Sequence, residues 1–272
     1  MVYKGILGAV IGDIIGSRFE GHNYRAKDFN LFDKHCRFTD DSTLTVAIGK
    51  ALLECNEDYT DLAQKTSDNL IQIATLYPYA GYGSGFKRWL YSDEHKPYNS
   101  WGNGSAMRVS ACAYFARSLE EAKELSYKVT CITHNHPEGL KGAEATTVAI
   151  YMALHCSTKE EIRKYILTKY YDIDFTIDSI RDKYDFDVSC QGTVPYALQA
   201  FFESKDYEDA IRNAVSIGGD SDTIAAIAGS VACAYYGVPY EIEEKSVDYL
   251  SYRLQTIINK VDEKIREIQN GL

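Results

Sequence analysis

The chain has 272 residues, enough to bury a substantial core in one large domain or two ordinary ones. Lys+Arg 29 against Asp+Glu 39 gives a formal charge of -10 with no basic run, which disfavours non-specific binding to nucleic acid or anionic membrane. The seven cysteines are scattered, odd in number and free of any C-x-x-C pair, which argues against a disulfide framework and a thiolate zinc site and fits a reducing, cytoplasmic setting.

In chain order, Gly5 to Gly16 is an apolar stretch interrupted by Asp13 and followed by no cleavage site, so it reads as a core helix rather than a signal peptide. No stretch is long and apolar enough to span a bilayer. Thr39-Asp40-Asp41-Ser42 then runs into Leu44, Val46, Ala47 and Ile48, the form of acids at a helix start. Leu62, Thr66, Leu70 and Ile73 line one helical face, and so do Leu119, Ala122, Leu125, Val129 and Ile132. Between these helices, Tyr77 to Gly85 and Lys96 to Ser105 break the rhythm with prolines and glycines. They read as loops, where binding residues usually sit. The tract from Tyr171 to Asp187 is polar, aromatic and irregular and carries no assignable element.

Gly218-Gly219-Asp220-Ser221-Asp222-Thr223 precedes a small-residue helix, Ile224 to Gly229, able to pack closely. At the C-terminus Leu254, Ile257, Ile258, Val261, Ile265 and Ile268 make an apolar stripe. Lys260, Asp262, Glu263, Lys264 and Glu267 are expected on its wet side. Strict alternation over a strand length is hard to find, so the chain is expected to be all-α, built on helix-on-helix packing.

The two acidic clusters carry the chemistry. Each alone reads as a helix N-cap, because Asp, Ser and Thr satisfy free N–H groups and acids favour the positive helix end. Two together, one with a Gly-Gly lead-in, point further. If the fold joins them, four carboxylates and two threonine hydroxyls surround one point and need cations to neutralise them. Asp220 and Asp222 are two apart and face opposite sides of a regular helix, so both are expected in the turn before it, with Thr223 opening the helix. An EF-hand is excluded, because Asp220 lacks the glycine and distal glutamate of that loop. The donor set suits two Mg²⁺ or Mn²⁺ ions. His134 and His136 are a rival metal pair, but they lack the third ligand that zinc needs, and a substrate contact suits His134 better.

These residues resemble the ADP-ribosylglycohydrolases, and the likeness spans nearly the whole chain. Gly8 to Asp13, with Glu20 after it, is similar to the family's opening helix and gating glutamate. Thr39-Asp40-Asp41 matches the first metal motif, Trp101 to Arg108 the central motif, Thr133-His134 the histidine motif, and Gly219 to Thr223 the second metal motif. The resemblance implies an all-α orthogonal multi-helix bundle over residues 1–272. It also implies two Mg²⁺ or Mn²⁺ ions held by Thr39, Asp40, Asp41, Asp220, Asp222 and Thr223. By similarity, backbone amides around Gly83, Ser84 and Gly85, and around Ser100, Trp101, Gly102 and Asn103, would cradle the pyrophosphate of ADP-ribose. Trp101 would stack on adenine or border its pocket, and His134 would contact ribose or phosphate. Arg108 is expected in a structural ion pair.

The implied activity is hydrolysis of the bond between ADP-ribose and an acceptor, through an oxocarbenium-like state. Asp220 or Asp222 is the expected base, with Glu20 closing over the site. Arginine is the default acceptor and an ADP-ribosylated protein or ADP-ribose derivative the expected partner, while the negative charge counts mildly against a nucleic-acid acceptor. Two other readings stay open on the residues alone: an ADP-ribose-binding protein without turnover, and a binuclear hydrolase of phosphate esters.

Overall fold

The computed structural model describes residues 5–270. Its helices are α1 (Leu7–Gly16), α2 (Asp40–Cys55), α3 (Leu62–Leu76), α4 (Ser84–Leu90), α5 (Ser110–Phe115), α6 (Leu119–Thr130) and α7 (Pro137–Leu154). They continue as α8 (Lys159–Lys169), α9 (Ile177–Ile180), α10 (Cys190–Phe202), α11 (Tyr207–Val215), α12 (Ser221–Tyr236), α13 (Tyr240–Ser246) and α14 (Tyr252–Asn270). Among the described residues the only β feature is an isolated bridge between Gly102 and Ser189, so the chain is all-α.

Periodicity shows directly in burial. α3 buries Leu62, Thr66, Leu70 and Ile73, and α6 buries Ala122, Leu125 and Val129, with Leu119 and Ile132 half-buried at the ends of that face. Side-chain caps start the helices where they start: Ser118 accepts from the Glu121 amide, and Thr158 and Glu161 form a reciprocal capping box on α8. α14 buries its apolar stripe, with Ile257 half-covered. Asp262 departs from expectation, since it is buried rather than on the wet side. Positions 258, 261, 262 and 265 share one helical face, wider than the apolar stripe alone, and Asp262 packs there against Gly5.

α1 is buried along its whole length and packs most extensively on α12. Gly8, Gly12 and Gly16 recur at one helical face. A Cβ on Gly12 would lie 2.1 Å from the Ala225 carbonyl oxygen, and one on Gly16 2.5 Å from that of Ser221, so bare glycine lets the two backbones touch. This contact joins the two ends of the chain. It sets Asp13 and the residues after α1 beside the start of α12.

Candidate functional site

A cleft of about 310 Å³ opens where α2, α12 and the glycine-rich loops meet. One wall is acidic, formed by Glu20, Asp40, Asp41, Asp220 and Asp222, with Thr223 among them. The rest of the lining includes Gly83, Ser84, Gly85, Ser100, Gly102, Asn103, Arg108 and His134. The fold therefore brings both acidic clusters and both loops together. Thr39 and Trp101 do not line the cleft: Thr39 is buried behind it, and Trp101 stands 53% exposed, edge-on to His136.

Asp13 organises the first cluster. Its Oδ2 accepts from the amides of Thr39 (2.8 Å) and Ser42 (3.0 Å) and from the Ser42 hydroxyl, and its Oδ1 accepts from Thr39 Oγ1 at 2.7 Å. Asp13 thus serves the α2 N-terminus from another helix, alongside Thr39, whose Oγ1 accepts weakly from the Asp41 amide at 3.3 Å. Capping therefore uses Thr39 and Asp13 and leaves the carboxylates of Asp40 and Asp41 free. Asp41 Oδ1 is buried with no hydrogen-bond partner, and Asp41 Oδ2 faces the hydroxyls of Thr223 and Thr39 only at 3.3 and 3.4 Å.

In the second cluster Asp222 Oδ1 accepts from the Thr223 amide at 3.0 Å in the first turn of α12, but Asp220 escapes the cap reading. Asp220 occupies the N-cap of α12 without a side-chain cap bond, and its Oδ2 instead accepts from Asn103 Nδ2 at 2.6 Å. Helix α12 begins at Ser221, two residues earlier than a start at Thr223 would give, so Asp222 lies in its first turn while Asp220 lies outside. Both reach the cleft because Asp220 is not helical. Gly218 and Gly219 precede it with φ of 78° and 67°, left-handed values that favour glycine. Arg25 donates to the carbonyls of Ile217 and Tyr184, and Asn23 Oδ1 accepts from the Gly219 amide, which clamps this turn.

Carboxylate oxygens of Asp13, Asp41 and Asp222 lie within 4.8 Å of one another, as do those of Glu20, Asp220 and Asp222. Burial pushes all of these groups up. Asp13 rises to about 6 despite its hydrogen bonds, and Asp40 to about 8 through burial and then the charges of Asp13 and Asp220. Asp41 and Asp222 are driven well above the carboxylate range by burial and by each other's neighbours in the cluster. Asp220 and the more exposed Glu20 rise as well, again chiefly by burial. A buried, crowded set of oxygen donors with one wholly unpartnered oxygen fits hard divalent cations. The two histidines are engaged elsewhere: His134 Nδ1 pairs with Thr133 Oγ1, and His136 caps α7.

Around the rest of the lining the structure departs from expectation in several places. Gly85 is helical, because the loop from Tyr77 ends at Gly83 and Ser84 opens α4. The amides of Gly102 and Asn103 already donate to Ser100 Oγ (3.1 Å) and the Val188 carbonyl (2.7 Å), which removes them from any ligand cradle. Both protons of Asn103 Nδ2 are used as well, on Asp220 and on Thr193 Oγ1 at 3.0 Å, so Asn103 positions an acid. Arg108, expected in an ion pair, has none among the described residues; its one hydrogen bond goes from Nη2 to Thr133 Oγ1. Phe186 and Val188, from the tract and loop before α10, also line the cleft, and no periodic signal marks them.

With this geometry in view, the comparison with known proteins is direct. The family model for ADP-ribosylglycohydrolase matches residues 2–270. The chain belongs to the ADP-ribosylglycohydrolase family. Among its relatives in that family, human ADP-ribosylhydrolase ARH3 is 24% identical over 87% of this chain and 85% of its own. ADP-ribosylarginine hydrolase Tri1 of Pseudomonas putida is 30% identical, over 50% of this chain and 39% of its own length. Of solved structures, an ADP-ribosylglycohydrolase-related protein complex superposes with a TM-score of 0.69 over 95% of each chain at 20% identity, which supports the all-α fold.

Proposed function

We propose that this family member is a metal-dependent hydrolase that cleaves the glycosidic bond between ADP-ribose and an acceptor, removing ADP-ribose from modified protein side chains. The observation that carries this reading is the crowded acidic wall. Two overlapping carboxylate triads, each within 4.8 Å, meet there; Asp13 is taken up by the α2 N-terminus, while Glu20, Asp41, Asp220 and Asp222 line the cleft. The proposed ligands of two Mg²⁺ or Mn²⁺ ions are Thr39, Asp40, Asp41, Asp220, Asp222 and Thr223, with Asp13 supporting Thr39. Bound there, the ions supply charge neutralisation and polarise the oxygens of the bound ribose.

The chain's own residues divide the remaining work. Asp220 or Asp222 takes the proton of the attacking water as general base. Asn103 holds Oδ2 of Asp220 and so positions that carboxyl. Glu20, exposed at the mouth and close to both acids, closes over the bound substrate. Gly83, Ser84, Gly85, Ser100, Gly102 and His134 contact the ADP-ribose half, and Trp101 borders the rim. Arginine is the proposed acceptor, supported by the name of the Pseudomonas putida relative.

The test is release of ADP-ribose from arginine-, serine- and nucleic-acid-linked substrates with Mg²⁺, Mn²⁺ or EDTA. Metal-dependent release from the arginine substrate is expected, with D220A and D222A folded but at least about a hundredfold slower. Normal turnover in both variants would sink the scheme. Binding of ADP-ribose without release would instead make the protein a reader of the modification.

A further inference from the structure

We infer that Arg108 and Thr133 lock His134 into the tautomer that carries its proton on Nε2, so that the cleft always meets a hydrogen-bond donor at this position and never a lone pair. Arg108 is wholly buried beside the cleft, and among the described residues it has no ion-pair partner and its Nε and Nη1 have no acceptor, Asp40 acting on it only through its charge. Burying a guanidinium this way is costly, and the one bond it makes points to a task. That bond runs from Nη2 to Thr133 Oγ1 at 2.6 Å, and a guanidinium can only donate.

The Thr133 hydroxyl has a single proton and two places to send it. The Thr130 carbonyl is 3.4 Å away and already accepts the amides of Thr133 (3.1 Å) and His134 (2.9 Å), which fill its two lone pairs. His134 Nδ1 is 2.7 Å away, within the usual range for a hydroxyl donor. The proton therefore goes to Nδ1, and a neutral imidazole that accepts at Nδ1 is protonated at Nε2. Guanidinium, hydroxyl and imidazole dipoles align head to tail, each strengthening the next. Burial and the charge of Arg108 hold the His134 pKa well below its ordinary value, so the ring stays neutral.

Nε2 then faces the loop between Gly102 and Gly104, where a Cβ on either glycine would approach it to 3.6 or 3.5 Å. Among the described residues nothing accepts its proton, and the two glycines leave room for a ligand atom. That atom has to be an acceptor. For the ADP-ribose of the proposed function, on which this inference rests, a phosphate oxygen meets the requirement under all conditions, whereas a metal ion or a proton donor is refused. Thr133 and Arg108 are positioning residues that act through His134.

The experiment uses full-length protein with ¹⁵N-labelled histidine. Long-range ¹H–¹⁵N spectra of the ligand-free wild type are expected to show His134 protonated at Nε2 alone. Thr133→Val should mix the tautomers and weaken ADP-ribose binding roughly tenfold, the scale of one hydrogen bond. Thr133→Ser should restore both. An Nδ1-protonated His134 in the wild type, or a pure Nε2 tautomer in T133V, overturns the assignment. Equal ADP-ribose affinity in the wild type and T133V overturns the role in recognition. If the wild type binds no ADP-ribose, the proposed activity fails, while the spectra still decide the tautomer.

Discussion

Asp13 shows how one buried side chain can serve structure and site together. In the sequence it interrupts an apolar helix; in the fold it accepts four hydrogen bonds from Thr39 and Ser42. Asp13→Ala leaves two buried amides and two hydroxyls without their acceptor, so unfolding in urea should show a loss of about 3 kcal/mol. Asp13→Asn keeps an acceptor on the crowded side and should lose less. A wild-type urea midpoint in both variants would remove Asp13 from the organising role. Gly83 gives the opposite kind of test. It lines the cleft, and a Cβ there would meet no protein atom within 4 Å at an ordinary φ of -61°. Gly83→Ala should leave thermal stability unchanged and raise KM several-fold if ADP-ribose packs against that backbone; an unchanged KM strikes Gly83 from the proposed contacts. Residue identity alone exposed Asp40, Asp41, Asp220 and Asp222, because acids beside glycine and threonine are conspicuous. Asp13 was hidden by its setting, since its value comes from a helix start 26 residues downstream.

Elements explain why the two clusters meet at all. The i, i+4 spacing of Gly8, Gly12 and Gly16 is written in the sequence, and so is the small-residue run on α12, but helical periodicity does not say which helix pairs with which. That pairing is decided by backbone contact, where a Cβ on Gly12 would lie 2.1 Å from the Ala225 carbonyl oxygen. Backbone cannot yield as a side-chain tip can, so Gly12→Ala should push α1 off α12 at a cost of about 3 kcal/mol. The same shift separates Asp13 from Asp222 and should weaken Mn²⁺ binding at least tenfold in a calorimetric titration. Gly49→Ala is the control: its nearest neighbours are side-chain carbons of Val261 and Ile6 at 3.2 and 3.3 Å, which can give way. It should bind Mn²⁺ like the wild type. Equal Mn²⁺ affinity in G12A and wild type would mean that the α1–α12 contact does not set the acidic geometry.

Over the whole molecule, helical content and core faces follow from local periodicity, while the cleft follows from contacts between distant segments. The tract from Tyr171 to Asp187, expected to carry no element, holds only the single turn α9, started by a Thr176–Ser179 capping box; its remainder is placed by distant segments, with Arg25 holding the Tyr184 carbonyl and the Tyr184 ring packing on Gly219. The charge balance is also a property of the whole. In the metal-free protein the folded-state pKa values of Asp13 and Asp40 rise to about 6 and about 8 from 3.8, and those of Asp41, Asp220 and Asp222 rise too. Raised carboxyls bind protons in the folded state that the unfolded chain has released. Their contribution to stability is therefore complete below 3.8 and is lost as pH climbs through the folded values of about 6 and about 8. Divalent cations take the place of those protons. In EDTA the melting temperature should fall as pH rises through that window, and saturating Mg²⁺ or Mn²⁺ should raise it by roughly 5–10 °C at the alkaline end and by little at the acidic end. Asp222→Asn removes one of the repelling charges, so it should melt higher than the wild type in EDTA at the alkaline end yet gain little from metal. A metal-free melting temperature that holds flat or rises with pH, with no response to either ion, would show that the acidic wall is neutralised by something other than protons and cations.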